Sequence, residues 1–333
     1  MKLATFEIPT SAGPVRRIGA AIDGRLVDFA AAYAAHFERA DRGCDAERLA
    51  ALLLPSDMVA FLGSGALGLQ AAQHAIDAAQ TTASAFGART SYDREEVHLL
   101  APLPRPRVLR DFLTFEGHMK QASKALGRGG EVPAAWYDVP AYYKGDPDTV
   151  VGPDVPVQWP SYSEKFDFEL ELGVVIGRRG KDIPRAEAER YIAGYTIWND
   201  FSARDQQMRE APVGMGPSKG KDFDTGNAVG PYLVTTDELN PGDLRMIARV
   251  NDEVWTEGSS AGRHFSFADL IVHVSRSETI YPGELWGSGT VTSGSGLELD
   301  RWLAPGDVVE LEVEGIGVLR NQVVRHGAAP AQS

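Results

Sequence analysis

The chain has almost no cysteine: Cys44 is the only one among 333 residues. That excludes an intrachain disulfide framework and a cysteine-based zinc centre. A lone thiol of this kind reads as a small apolar side chain rather than a nucleophile. The chain also lacks any apolar run near the roughly 18 residues that a membrane helix needs. Residues 1–14 lack the basic-then-apolar layout of a secretory leader, so a cytoplasmic protein with no membrane partner is the expectation. Positive charge is scarce, with 33 Lys and Arg against 46 Asp and Glu and a net charge of −13. Without a dense basic run, nucleic acid is a poor partner, because phosphate neutralisation needs clustered Lys and Arg. What the chain does have is 43% hydrophobic residues, enough apolar surface to offset chain entropy. Its 35 glycines and 20 prolines point to many turns and considerable β structure. The length allows one large domain or two.

Residues 1–100 read as a small α+β N-terminal domain. Ile18, Ala20 and Ile22 alternate, and Asp23-Gly24 supplies a turn before Leu26-Val27, which is a hairpin pattern. Residues 28–82 are Ala-rich and helical in character. Pro102, Pro104 and Pro106 then rule out helix and central strand and mark a boundary. Residues 105–325 shift to strands and turns, and 326–333 read as a flexible tail. A strand-like run covers 166–176, and Pro184 opens a helix over 185–193 closed by Gly194. Short strands are expected at 195–198 and 232–235, a hairpin from 246–250 through Asn251-Asp252, a helix at 267–275 and a half-buried strand at 308–313. The long stretch 121–159, with Trp136-Tyr137, reads as a lid that would favour an apolar or aromatic substrate tail.

The most informative segment is Lys165-Phe-Asp-Phe-Glu-Leu-Glu-Leu172. On a strand, Asp167, Glu169 and Glu171 share one face, and Phe166, Phe168, Leu170 and Leu172 the other. The plain reading is a half-buried strand whose acidic face meets water. The other starts from the repulsion between adjacent carboxylates, which a cation removes. Oxygen-only ligands suit a hard ion, Mg²⁺, Mn²⁺ or Ca²⁺, and not zinc. A second acidic segment is Trp198-Asn-Asp-Phe-Ser-Ala-Arg-Asp-Gln-Gln207. A helical turn here would bring Asp200, Arg204 and Gln207 to one face; a helix capped by Asp200 or Ser202 is the alternative.

Four segments stand in order: Arg110-Asp-Phe with His118, Asp167-Phe-Glu-Leu-Glu171, Asn199-Asp-Phe-Ser-Ala-Arg-Asp205 and Gly220-Lys-Asp-Phe223. Gly287-Ser-Gly-Thr290 and Gly306-Asp-Val-Val-Glu310 follow. Together they resemble the fumarylacetoacetate hydrolase family over residues 105–325. The resemblance implies a mainly β, α+β fold: a mixed β-sandwich roll as catalytic domain behind the small N-terminal domain, and a homodimer. It also implies a divalent cation, Mg²⁺, Mn²⁺ or Ca²⁺, on Glu169, Glu171 and Asp200, with Asp111 as a further ligand. Asp167 is left as a support to the site or a strand-end contact. Lys221 matches the family's active-site lysine, and Arg204 and Gln207 its substrate-polarising pair. Tyr143 and Thr290 match positions that touch the substrate, Thr290 facing a carboxylate.

A metal that chelates a 1,3-dicarbonyl or 2-oxo acid stabilises negative charge on oxygen, and cleavage of the carbon–carbon bond leaves an enolate that the metal can hold. A base must generate hydroxide, and His118, ordinarily titrating near pH 6.5, suits it. A carboxylate must fix its tautomer. Glu310 matches the family position for this role, and Glu116 is the local rival, beside Gly117. His36, His74, His98, His264, His273 and His326 have no metal-ligand spacing partner and read as structural or surface residues. The expected function is a metal-dependent hydrolase cleaving a carbon–carbon bond in acylpyruvates or β-diketo acids. Its rivals are decarboxylation of oxaloacetate-like acids, isomerisation or hydration of 2-oxo-enoates, and a non-catalytic Ca²⁺-stabilised binding protein.

Overall fold

In the computed structural model, which describes residues 1–39, 45–127 and 129–325, the N-terminal alternation forms β1 (Lys2–Ile8), β2 (Val15–Ile22) and β3 (Arg25–Asp28). Asp23 and Gly24 turn between β2 and β3 at φ 48° and 78°, as an Asp-Gly hairpin requires. The Ala-rich stretch folds as α1 (Phe29–Arg39), α2 (Ala46–Leu53), α3 (Met58–Gly63) and α4 (Gly65–Ala79). These helices pack on the hairpin through Phe29, Phe61, Ala72 and Ala75, all buried. Cys44, His326 and the tail at 327–333, on which expectations were placed, lie outside the described residues.

Beyond the proline-rich boundary the main strands are β4 (Leu109–Phe112), β5 (Tyr142–Gly145), β6 (Leu170–Ile176), β7 (Ile192–Asp200), β8 (Asn227–Thr235), β9 (Arg245–Val250), β10 (Glu253–Ser259), β11 (Leu285–Gly287), β12 (Val308–Val313) and β13 (Gly317–Arg325). The helices are α5 (Glu116–Ala125), α6 (Arg204–Glu210), α7 (Phe267–Ser275) and α8 (Gly296–Leu299). One large sheet runs β3-β2-β1-β8-β7-β6-β11-β4-β5. The N-terminal hairpin therefore extends the sheet that carries the site, with Leu3 of β1 opposite Leu233 of β8. A second sheet runs from Val157–Trp159 through β13, β12 and β9 to β10. Leu172, Val174 and Ile197 of the first sheet and Met246, Ala248 and Leu311 of the second belong to one buried core. The architecture is mixed α+β and sheet-rich.

Three sequence expectations change. The helix over 185–193 is a short 3-10 run, Arg185–Tyr191, and β7 begins at once. Gly194 lies inside β7, where a Cβ would stand 2.2 Å from the Val234 carbonyl oxygen; close strand packing, not a helix cap, demands glycine there. The strand over 166–176 breaks into Phe166–Asp167 and β6. Its apolar residues Phe166, Phe168, Leu170 and Leu172 are fully buried as the alternation implies. The stretch 121–159 is not an open loop: β5 within it pairs with β4, Asp111 opposite Tyr143.

Candidate active site

Strand pairing assembles three carboxylates from distant parts of the chain. Glu171 of β6 stands opposite Trp198 of β7, two residues before Asp200. Gly287 of β11 lies beside Gly173 on one side and Asp111 of β4 on the other. Asp111, Glu171 and Asp200 are buried, and one oxygen of each lies within 4.8 Å of the others. Gly287 makes the room: a Cβ there would sit 2.2 Å from Asp111 Oδ1 and 2.5 Å from Glu171 Oε2. Glu171 Oε2 and Asp200 Oδ1 are buried without a hydrogen-bond partner. Burial, and then the Asp200 charge, push Asp111 up to about 7. Burial and Asp111 push Glu171 well above the carboxylate range. Burial raises Asp200 to about 6, although Lys221 opposes the rise. Buried, mutually repelling and partly orphaned oxygens are costly unless a cation compensates them, and an all-oxygen donor set fits a hard divalent ion. Tyr143 Oη donates to Asp200 Oδ2 at 2.5 Å and Thr290 Oγ1 to Glu171 Oε1 at 3.4 Å, so both expected substrate contacts touch the triad.

Glu169, also expected as a ligand, pairs with two cations beside this triad. Its Oε1 lies 2.7 Å from Arg204 Nη2 and its Oε2 2.5 Å from Lys221 Nζ. Burial alone would raise its pKa, but Arg204 and Lys221 hold it well below the usual carboxylate range. Lys221 Nζ also donates to Asp200 Oδ2 at 2.6 Å and so links Glu169 to the triad. Gln207 accepts from Arg204 Nη1 at 3.0 Å. Asp167 binds Arg204 Nε through Oδ2 at 2.7 Å and also accepts from the backbone N–H of Gly296 at 2.7 Å and Leu297 at 3.1 Å.

His118 projects from α5 and is buried. Its Nδ1 lies 3.1 Å from Glu298 Oε2 in α8. Neither expected partner is there. Glu310 alternates with Val309 and Leu311, whose side chains enter the core, so it points to the other face of β12, across from Arg249 and Arg320. Glu116 lies two positions from His118 on one helix, and such residues do not face each other; it binds Tyr137 Oη at 2.5 Å and Lys120 Nζ at 2.7 Å instead. Glu298 is the functional candidate that sequence reasoning missed. Its signal was present: Ser295-Gly-Leu-Glu298 is a capping box, and both of its hydrogen bonds form. Burial alone would lower the His118 pKa, but the Glu298 carboxylate outweighs it and leaves it above 6.5.

A cavity of about 660 Å³ opens over this floor, lined by Asp111, His118, Tyr143, Glu169, Arg204, Gln207 and Lys221 among others. Trp136 and Tyr137 do not line it; Trp136 Nε1 donates to the Leu113 carbonyl at 2.7 Å and packs on His264.

A family model described as the fumarylacetoacetate (FAA) hydrolase C-terminal domain matches residues 107–324. The chain belongs to the fumarylacetoacetate hydrolase family. Among its relatives in that family, human oxaloacetate tautomerase FAHD2A, mitochondrial, is 36% identical over 275 residues, 81% of each chain. A crystal structure of 5-carboxymethyl-2-hydroxymuconate delta-isomerase from Mycobacterium smegmatis superposes with a TM-score of 0.65 at 25% identity, over 98% of this chain and 100% of that one. Maleylpyruvate hydrolase from Sphingobium sp. SYK-6, solved with manganese(II) and pyruvate, shares the fold with a TM-score of 0.68 at 21% identity, over 98% and 99% of the two chains. The names of these three proteins thus cover a tautomerase, an isomerase and a hydrolase. Among the described residues no helix is long and apolar enough to cross a membrane.

Proposed function

We propose that this chain is a divalent-cation-dependent enzyme of 2-oxo acids, and that it hydrolyses the carbon–carbon bond of 2,4-dioxo acids such as acylpyruvates. The observation that carries the reading is that His118, paired with Glu298, lines the same cavity as Asp111, Arg204 and Lys221. Asp111, Glu171 and Asp200 would hold Mg²⁺, Mn²⁺ or Ca²⁺. That ion, when bound, supplies Lewis-acid stabilisation of negative charge on the substrate's oxygens. The Glu298 carboxylate accepts from Nδ1–H of His118 and leaves the Nε2 lone pair free to take a proton from water. Hydroxide then adds to the C4 carbonyl, the C3–C4 bond breaks, and C3 keeps the electron pair as the enolate. Lys221 and Arg204, both buried, offset the developing negative charge. His118 returns its proton to C3, which closes the cycle with a carboxylic acid and a 2-oxo acid as products.

The second reading is keto–enol tautomerisation of oxaloacetate, favoured by the name of the human relative. It uses the same His118, which would carry a proton between C3 and the adjacent oxygen without activating water. A panel of acetylpyruvate, fumarylpyruvate and oxaloacetate, assayed with Mg²⁺, with EDTA and with His118→Ala, separates the two. Hydrolysis predicts EDTA-sensitive, His118-dependent formation of pyruvate in step with loss of the diketone absorbance. Faster oxaloacetate interconversion with no pyruvate from any dioxo acid would leave the tautomerase reading standing alone.

A further inference from the structure

We infer that the substrate tail beyond C4 is uncharged and apolar, an inference that rests on the 2-oxo acid reading of the same site. The buried floor of the cavity is polar, and its more exposed walls are largely apolar. At the floor stand Asp111, Glu169, Arg204, Gln207 and Lys221; the walls above are Leu113, Met119, Leu126, Val132, Met208 and Pro217. Leu113 follows β4, and the other wall residues come from α5, from α6 and from the segments that follow each of them. Pockets of roughly 300–1,000 Å³ accommodate drug-sized ligands, so about 660 Å³ is far more than a four-carbon acid fills. A longer substrate would therefore run along the largely apolar walls.

Charge points the same way. Among the described residues, the Arg and Lys side chains lining the cavity are Arg204 and Lys221. Both are buried at the floor, Arg204 between Asp167 and Glu169 and Lys221 between Glu169 and Asp200. A carboxylate at the far end of a longer substrate would find neither of them free, and the acid on that part of the wall, Glu131, would repel it. Moving an ion out of water without a partner is strongly unfavourable. Each methylene that packs on the apolar walls, by contrast, strengthens binding about fourfold. The cavity is therefore built to discriminate by tail chemistry: it accepts an alkyl or aryl acyl group and rejects the same chain ending in a carboxylate.

Two measurements test this separately from the reaction assignment. The first is binding of 2-oxooctanoate and of 2-oxooctanedioate to the wild-type chain with Mn²⁺, by calorimetry. These acids need not be turned over, so the result stands whether or not the hydrolase reading does. The expected result is at least tenfold tighter binding of 2-oxooctanoate, which also binds more tightly than pyruvate. Equal or tighter binding of the dicarboxylate, or no gain over pyruvate, overturns the inference. The second is the ratio of kcat/KM for hexanoylpyruvate against the same chain ending in a carboxylate, in wild type and in Leu126→Arg. The substitution adds a cation to the apolar wall and should move the ratio at least tenfold toward the dicarboxylate. Retained Mn²⁺ affinity shows that the variant is folded. A folded variant with an unmoved ratio places the tail elsewhere and overturns the assignment of this wall.

Discussion

Asp167 ties together two halves of the site that act on different atoms. Its Oδ2 takes Arg204 Nε at 2.7 Å and the N–H of Leu297 at 3.1 Å, and its Oδ1 takes the N–H of Phe168 at 2.8 Å and of Gly296 at 2.7 Å. Gly296 and Leu297 open α8, whose next residue is Glu298, so one carboxylate holds both the substrate-side cation and the turn that carries the partner of His118. Gly296 is part of the arrangement, since a Cβ there would lie 2.5 Å from Asp167 Oδ1. Removing one partner of a buried ion pair costs about 3–5 kcal/mol. Arg204 keeps Glu169 and Gln207, which puts Asp167→Asn at the low end, about 3 kcal/mol of stability, and Asp167→Ala higher because it loses every acceptor. Asn retains one acceptor oxygen and the size of the side chain, so it should fold. We expect Asp167→Asn to lower kcat about 10- to 100-fold, equivalent to roughly 1.4–2.8 kcal/mol of barrier, with Mn²⁺ affinity unchanged because Asp111, Glu171 and Asp200 are untouched. The pH profile supplies a readout that a structural role would not move. Glu298 holds the His118 pKa above 6.5 against burial, and the base form is gained only as pH rises through that pKa. If α8 drifts, this support weakens and the acid limb of kcat moves to lower pH. A folded Asp167→Asn enzyme whose kcat stays within threefold of wild type, with an unmoved acid limb, refutes the coupling.

Other expectations follow from the same geometry. Glu298→Gln should lower kcat by two to four decades, the range for losing general-base catalysis, whereas Glu310→Gln and Glu116→Gln should stay within twofold; combined with His118→Ala, Glu298→Gln should add little, as members of one unit are non-additive. Gly287→Ala should weaken Mn²⁺ binding at least tenfold by electron paramagnetic resonance titration, because its Cβ would overlap Asp111 Oδ1 and Glu171 Oε2; wild-type affinity would mean those carboxylates are not the ligands. Cation binding should release protons near neutral pH, since Asp111 titrates at about 7 and Glu171 well above the carboxylate range without a cation. Affinity should therefore rise with pH through that region, and calorimetry in buffers of different ionisation enthalpy that detects no proton release would argue against this triad.

Much of the fold was legible because local rules and tertiary packing agree. The Asp23-Gly24 hairpin, the helix Phe267–Ser275 and the strand Val308–Val313 appear where the turn signal and periodicity place them, and the structure adds a Ser266–Asp269 capping box at the helix start. The failures are places where a distant segment decides. Gly194 reads as a helix stop until Val234 is seen across the sheet, and the alternation alone makes the acids of the Asp167 segment one row until their partners arrive.

Those partners divide the row three ways. Asp167 turns to Arg204 and the start of α8, Glu169 to Arg204 and Lys221, and Glu171 to Asp111 and the gap left by Gly287. An alternation rule carries information about faces, not about which member of a face meets a cation, because the deciding neighbours lie from about 35 to 130 residues away in the chain. The same logic explains the misplaced dyad. A motif match put Glu310 beside His118, yet the burial of Val309 and Leu311 turns Glu310 away from their core. The capping box at Ser295 was the better guide, because it fixes the backbone of α8 and the rotamer of Glu298 by hydrogen bonds that Ser295 itself supplies. Where the motif match and the local hydrogen-bonding rule point to different neighbours for His118, the local rule carries geometry and the motif does not, and here the geometry places Glu298 beside Nδ1.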